Sequence, residues 1–348
     1  MGLWDWIMDR LTLDRPAPVE SCSRWAQTGA VATLESPADS STPSTHASAN
    51  RWWAPEGVDA VENVEPPRPE LTTEARALES LLISHFDGHD LKMPPLVQAA
   101  ERVLGRLHNP NCDLNEVSSD IAGDPVIAAS VLRMANSPLY RGLNKITALR
   151  PAVTRLGIKA LRTLMMHESL RAAVFLGKGR DEWAGRIWTT ARASAHIMHG
   201  LSVFTRIDAE DAFLLGLLHD IGQVIVLRIV RADQARTHEA VDDATFDYLC
   251  HECHQEFGEL VAGAWKLPPT FCSLIADHHT QPAADDPLRT ERLQLQLCDV
   301  ISSMLGFAPP ASYDLINMRV VRELGLTHSA AFTAFLDGLP AELEEAFD

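Results

Sequence analysis

No stretch of this 348-residue chain holds 18 consecutive apolar residues, about the minimum for a membrane-spanning helix. The opening, MGLWDWIMDRLTLDR, lacks the basic start, long apolar stretch and small-residue cleavage site of a signal peptide, so a cytoplasmic protein is expected. Cysteines are few, six in all and scattered, which argues for reduced thiols and against a disulfide framework. Basic residues are in deficit. Thirty Lys and Arg face 47 Asp and Glu for a net charge of −17, which argues against non-specific nucleic-acid binding by the chain as a whole. There is no Gly-rich phosphate loop, no kinase or dinucleotide motif and no defensible Ser-His-Asp arrangement. Strand-like alternation of useful length is also missing, so the expected class is all-α.

The chain divides by composition. Residues 1–68 do not read as a domain: the segment from Ser36 to Thr45 is rich in Ser, Thr and Pro and too poor in apolar groups to offset the cost of ordering it. Within this expected disordered arm, Leu3, Trp4, Ile7, Met8 and Leu11 recur at helical spacing, and Trp52-Trp53 makes a second apolar island. Such tryptophans serve as docking anchors or fold back on their own domain, and the pattern alone does not choose.

From about residue 70 the pattern turns helical. Asp113 with Glu116 forms a capping box, and Asp124-Pro125 reads as an N-cap with proline at the first helical position. Asn136-Ser137-Pro138 ends that helix, Thr147 starts another and Gly157 closes it, and residues 158–170 form the next. Asp208 with Asp211 caps the helix ending at His219. A helix from His254 to Lys266 is separated by Pro268-Pro269 from the one leading to His278. Residues 306–348 read as two or three short terminal helices. Trp183, Trp188 and Trp265 are expected in the core, and Asn136 as a cap or a bridge between helices.

Chemistry concentrates in one region. His219-Asp220 ends an apolar helix, and His254, His278-His279 and Asp299 follow in their own helical segments. Imidazoles and carboxylates converging from separate helices make a ligand set for Mn, Fe, Ni or Zn, and such an ion turns a bound water into a nucleophile for phosphate esters. The bland reading is a buried, hydrogen-bonded histidine beside a locally paired carboxylate.

Cys250-His251-Glu252-Cys253-His254 matches the C-x-x-C-H pattern that attaches c-type haem. That attachment follows export, for which no signal is present, so haem is not expected and packed thiols are the default. A zinc site using Cys250, Cys253 and a third ligand is the alternative. Between Arg133 and Arg206 lie 13 Lys or Arg against three acidic residues, a balance of +10 that leaves −27 for the remainder. This segment is either a solvated face or a basic surface for an anionic ligand or acidic partner.

Six stretches in order carry a resemblance: MPPLVQAAERVLGRL (93–107), DIAGDPVIAASVLRMANSPLY (120–140), ITALRPAVTRLGIKALRTL (146–164), AFLLGLLHDIGQVIV (212–226), HQEFGELVAGAWKLP (254–268) and IADHH (275–279). Together with Asp299 they resemble the HDOD domain, a branch of the HD superfamily of metal-dependent phosphohydrolases, over roughly residues 86–305. The resemblance implies a compact multi-helix domain with two helical lobes, taken as residues 69–305, with 306–348 as a helical extension. A groove between the lobes is the expected ligand site. It implies His219, Asp220, His254, His278, His279 and Asp299 as metal ligands.

Catalytic HD enzymes carry one more histidine on the preceding helix. Here Thr190 stands at that position, and His196 and His199 fall on other faces of a helix. Many members that have lost ligands are signalling scaffolds. The resemblance therefore implies a non-catalytic regulatory module that acts on a signalling partner, with an anionic or cyclic dinucleotide ligand in view. The alternative is a phosphohydrolase acting on a nucleotide or cyclic dinucleotide.

Overall fold

The computed structural model describes residues 72–88, 93–107, 112–137, 144–175, 182–307 and 314–347, with Asn109 and Tyr140. The expected arm, with Trp52-Trp53 and the segment around Trp4, lies outside the described residues. Those described form helices joined by turns and irregular segments, with no strand among them, in keeping with the lack of alternation.

The helices are α1 (Thr73–Gly88), α2 (Gln98–Leu107), α3 (Leu114–Ala122), α4 (Pro125–Ala135), α5 (Leu149–Val174), α6 (Glu182–Thr205), α7 (Ala209–Leu218), α8 (Gln223–Thr237), α9 (Asp243–Ala264), α10 (Pro269–Asp277) and α11 (Arg289–Met304). A 3-10 turn at Leu315–Asn317, α12 (Arg319–Glu323) and α13 (Ala330–Phe347) complete the chain. The last helix is eighteen residues long, longer than the short terminal helices expected. Its Phe332 and Phe335 pack on Phe204 of α6.

Capping follows sequence at some ends and departs from it at others. Asp124 accepts from the amides of Val126 and Ile127, with Pro125 opening α4. Asp113 accepts from the Asn115 amide, but Glu116 turns away to Arg106 on α2, so the expected box is half made. An opposite charge on a neighbouring helix offers Glu116 more than the local amide. α5 begins at Leu149 with no side-chain cap, two residues after the expected Thr147 start. It bends at Gly157, where φ is 74°, a left-handed conformation that favours glycine. α9 begins at Asp243, well ahead of the expected His254.

Packing sorts the helices into two lobes sharing one core. α2, α3 and α4 pack on α5, while α6 to α11 build the second lobe and α5 meets it through α7. Trp265 is buried, and its Nε1 donates to the Pro94 carbonyl (2.8 Å), tying the end of α9 to the segment before α2. Trp183 stacks on Phe246 at 4.3 Å, and Trp188 lies half-buried against Phe175 and His167.

Asn136 bridges: its Nδ2 donates to the carbonyls of Leu132 and Ile146, and its Oδ1 accepts from the Ile146 amide, each at 2.8 Å. Asn136→Ala leaves the Ile146 groups without those partners, and a loss of about 1–3 kcal/mol is expected. The midpoint of urea unfolding checks it. A wild-type midpoint would mean that water replaces the bridge at no cost.

The span Ala209–Thr237 is long and apolar enough to cross a membrane by composition, yet 78% of its most apolar window is buried inside the protein. It is also not one helix, because residues 219–222 turn the chain between α7 and α8. That turn carries the His-Asp pair.

Candidate metal centre

His219 caps the C-terminal end of α7, and Asp220 follows in the turn. The turn packs directly on α9. A Cβ at Gly222 would lie 1.9 Å from the His254 carbonyl oxygen and 2.6 Å from the Gly258 amide nitrogen. Glycine at this corner lets two backbones meet, and that contact sets His219 and Asp220 beside His254. His278 and His279 follow the end of α10, where Gln296 of α11 donates from Nε2 to the carbonyls of His278 (3.0 Å) and Thr280 (2.9 Å). Asp299 comes from α11. All six expected ligands therefore converge inside the second lobe. The donors sit on α9, on α11, in the α7–α8 turn and just after α10, in the C-terminal part of the domain as the sequence led us to expect.

The imidazoles are held in one tautomer. Nδ1 of His219 lies 2.9 Å from the Gly216 carbonyl, that of His254 2.8 Å from Cys250 and that of His278 3.0 Å from Ile275. A carbonyl only accepts, so each Nδ1 donates and, in the neutral ring, each Nε2 presents a lone pair. Yet His254 Nε2 sits 3.3 Å from His278 Nε2 and 3.0 Å from His279 Nε2. The His254 and His278 lone pairs repel at that separation unless a proton or a cation lies between them, whereas His279, whose Nδ1 faces the Asp299 carboxylate, can donate from Nε2 to His254. Asp220 Oδ1 is 3.5 Å from both His254 and His278, and Oδ2 is 3.6 Å from His219. Asp299 Oδ1 meets His219 Nε2 at 3.1 Å, while its buried Oδ2 has no hydrogen-bond partner and lies 3.6 Å from His279 Nδ1.

Two overlapping groups, His254-His278-His279 and His219-Asp220-His278, each bring one donor atom per residue within 4.8 Å of the others. Mixed imidazole and carboxylate donors, locked Nδ1 protons and an orphaned carboxylate oxygen fit a divalent transition metal. The histidines 219, 254 and 278 are buried, the two aspartates half-buried and His279 exposed, so the centre opens to solvent past His279.

Electrostatics divide the histidines. Burial disfavours a charged His219, but the carboxylates of Asp220 and Asp299 outweigh it and raise the ring to about 9. For His254 burial prevails, opposed by Asp220 and aided by His278, and the ring falls to about 4. Asp220 is held well below the usual carboxylate range: burial works against its charge, and His219, His278 and His254 overcome it.

Thr190 donates its hydroxyl to the Phe307 carbonyl and joins neither donor group. His196 and His199 stand edge-on to Phe213 at 5.5 and 6.4 Å and are also outside both groups. Burial, with Arg192, His199 and His167 nearby, lowers His196 to about 4. A histidine lowered on folding favours the neutral form, so its contribution to stability is full above pH 6.5 and falls as pH drops from there toward 4. The slope reaches at most about 1.4 kcal/mol per pH unit. His196→Phe is expected to flatten this limb in unfolding measured across pH, and an unchanged limb would contradict the assignment.

Cys250 is buried, which pushes its thiol well above the usual range, and neither it nor Cys253 belongs to a donor group. Sequence reasoning missed Gln223, which donates to Asp220 Oδ2 at 2.9 Å, as well as Gln296 and the packing role of Gly222. Gln223 and Gly222 stand beside the His-Asp pair, but amides and glycines carry no chemical signature of their own.

Part of the basic segment is neutralised from outside it. Lys159 pairs with Asp208 and Asp211, Arg162 with Asp211, and Arg186 with Asp247. Arg150 and Arg155 line a hollow of about 590 Å³ with Ile146, Pro151 and Thr154, near the start of α5.

Fold and site together define a helical domain built around an imidazole and carboxylate centre. A sequence profile of the HDOD domain matches residues 93–281. The chain belongs to the HDOD domain family. No curated protein matches it.

Among solved structures, a Shewanella amazonensis protein provisionally named a metal-dependent phosphohydrolase is 18% identical with a TM-score of 0.62, covering 78% of this chain and 100% of that one. An HDOD domain protein of unknown function from Geobacter sulfurreducens is 22% identical with a TM-score of 0.57, covering 78% and 97%. A Marinobacter aquaeolei protein provisionally named for signal transduction is 21% identical with a TM-score of 0.52, covering 78% and 65%. At these identities the likeness establishes the all-α fold.

Proposed function

We infer that this chain is a metal-binding regulatory module of cytoplasmic signalling. The observation that carries the reading is the inward-facing Nε2 set of His254, His278 and His279, with separations of 3.0 and 3.3 Å beside the Asp220 carboxylate. Such an array favours a bound divalent cation over an empty centre. His219, Asp220, His254, His278, His279 and Asp299 would hold the ion, and Gln223 and Gln296 would orient two of the segments that supply them. When bound, a divalent ion supplies charge that links the α7–α8 turn, α9, α10 and α11. Donors from four segments make their mutual packing respond to occupancy, and a protein partner reading that surface receives the signal. The hollow with Arg150 and Arg155 suits an anionic ligand such as a cyclic dinucleotide, and residues 1–68 suit a docking arm.

Hydrolysis of a nucleotide or cyclic dinucleotide is the second reading, favoured by the solvent-exposed His279 at the mouth of the centre. Against it, α6 contributes no ligand, since the Thr190 hydroxyl is committed to Phe307.

Elemental analysis of the purified full-length protein, followed by a screen of phosphate esters and cyclic dinucleotides, tests both. A near-stoichiometric transition metal with hydrolysis at background supports the regulatory reading. Metal-dependent turnover would replace it with the second. Absence of metal would overturn both.

A further inference from the structure

We propose that Arg292 is a positioning residue for this centre, fixing from α11 the end of α10 that delivers His278 and His279. The proposal rests on the reading that the centre holds a divalent ion, and it concerns a side chain that gives no atom to that ion.

His278 follows directly on Asp277, the last residue of α10. After His278-His279 the chain runs through residues 280–288 without a helix. Metal bonds hold their donors to within about 0.2 Å, whereas helix ends fray and irregular segments open readily. A nine-residue helix running into such a segment needs outside support to present two imidazoles that closely.

Arg292 supplies it on both sides of the pair. Its side chain is 9% exposed and pairs with the Asp277 carboxylate. Nη1 also donates to the Ser273 carbonyl at 3.3 Å, and Nη2 to the Ser273 hydroxyl at 3.0 Å. Nε donates to Asp286 Oδ2 at 2.7 Å, and Asp286 Oδ1 accepts from the Leu288 amide at 2.8 Å. One guanidinium thus grips α10 ahead of the histidines and the irregular segment behind them. Arg292, Gln296 and Asp299 stand at i, i+4 and i+7, along one face of α11. Gln296 takes the His278 and Thr280 carbonyls, and Asp299 meets His219 and His279. The same face therefore holds the donors and the backbone that carries them. Lysine would keep the charge of Arg292 but not the planar fork that serves several acceptors at once.

The test is titration of the metal-free full-length protein with Co²⁺, read by its visible absorption, with Zn²⁺ affinity obtained by competition. Wild type is compared with Arg292→Lys, Asp277→Asn, Asn136→Ala and Asp220→Asn. We expect Arg292→Lys to weaken Zn²⁺ binding on the order of 10- to 100-fold and to change the Co²⁺ bands, which report ligand geometry. If Arg292→Lys does not fold, the bands of Asp277→Asn decide instead, and they should change too. Asn136→Ala, which weakens the other lobe, should keep wild-type affinity and bands. Wild-type affinity and bands in the deciding variant, with binding lost in Asp220→Asn, would overturn this inference and leave the metal centre standing. An equal loss in Asn136→Ala would also overturn it, because affinity would then merely follow stability. No Co²⁺ or Zn²⁺ bound by wild type would overturn both.

Discussion

Gly222→Ala is expected to be severely destabilising and to cost the protein its metal centre at the same time. The backbone at Gly222, with φ −61° and ψ −27°, is open to any residue, so the requirement is room. The added methyl would meet the His254 carbonyl at 1.9 Å and the Gly258 amide at 2.6 Å. Both are main-chain atoms of α9 that no rotamer change can move. Overpacking that side chains can relieve costs about 1–3 kcal/mol. Here relief means lifting the α7–α8 turn off α9, so the cost should reach or exceed that upper end, against a total stability of about 5–15 kcal/mol for a typical domain. The same displacement separates His219 and Asp220 from His254, so metal content should fall with stability.

Gly105→Ala on α2 and Gly263→Ala on α9 provide the contrast, since nothing lies within 4 Å of a Cβ at either position. Each is expected to be neutral or to stabilise by up to about 1 kcal/mol, the helix-propensity difference. Denaturant midpoints for the three variants decide the matter. A wild-type midpoint for Gly222→Ala would mean that the turn does not rest on α9.

Asp220→Asn is expected to abolish stoichiometric metal while leaving a folded protein. Among the described residues, Asp220 is the one carboxylate in contact with three imidazoles, those of His219, His254 and His278. The amide keeps its shape and size but not its charge. At an ion concentration 100-fold above Kd, binding stabilises the native state by about 2.7 kcal/mol, and this increment should vanish in the variant. Thermal unfolding with and without added Zn²⁺ measures it directly. A metal-dependent shift of wild-type size in Asp220→Asn would remove Asp220 from the ligand set.

The metal-free protein adds a pH signature. His219 is raised above its unfolded value, so its contribution is present below pH 6.5 and is lost as pH rises through about 9. Losing the Asp220 charge should shrink that contribution.

What was legible in the sequence had its cause nearby in the chain. Asp124-Pro125 announced α4 because a side chain two or three residues away satisfies the amides there. Gly157 announced the bend in α5 because only its own φ is involved. That the six candidate ligands converge was legible for another reason: imidazole and carboxylate groups are rare in apolar helices, and their order resembled a known family.

What failed depended on partners distant in sequence. Glu116 left its box for Arg106 on another helix. The +10 segment counted charge along the chain, yet Asp208, Asp211 and Asp247 reach in from elsewhere to cancel part of it. Gln296 fixes the His278-His279 turn from eighteen residues away, and no local pattern could assign it.

The donors extend from His219 to Asp299 and meet only when the α7–α8 turn, α9, α10 and α11 are in place. An extended chain therefore offers no preformed cage, and an ion bound as proposed would not act as a seed for folding. Its influence would fall on the other side of the barrier, as a brake on unfolding, since contacts absent from the transition state slow escape from the native state. In this protein occupancy of the centre would set how long the folded state persists more than how quickly it forms.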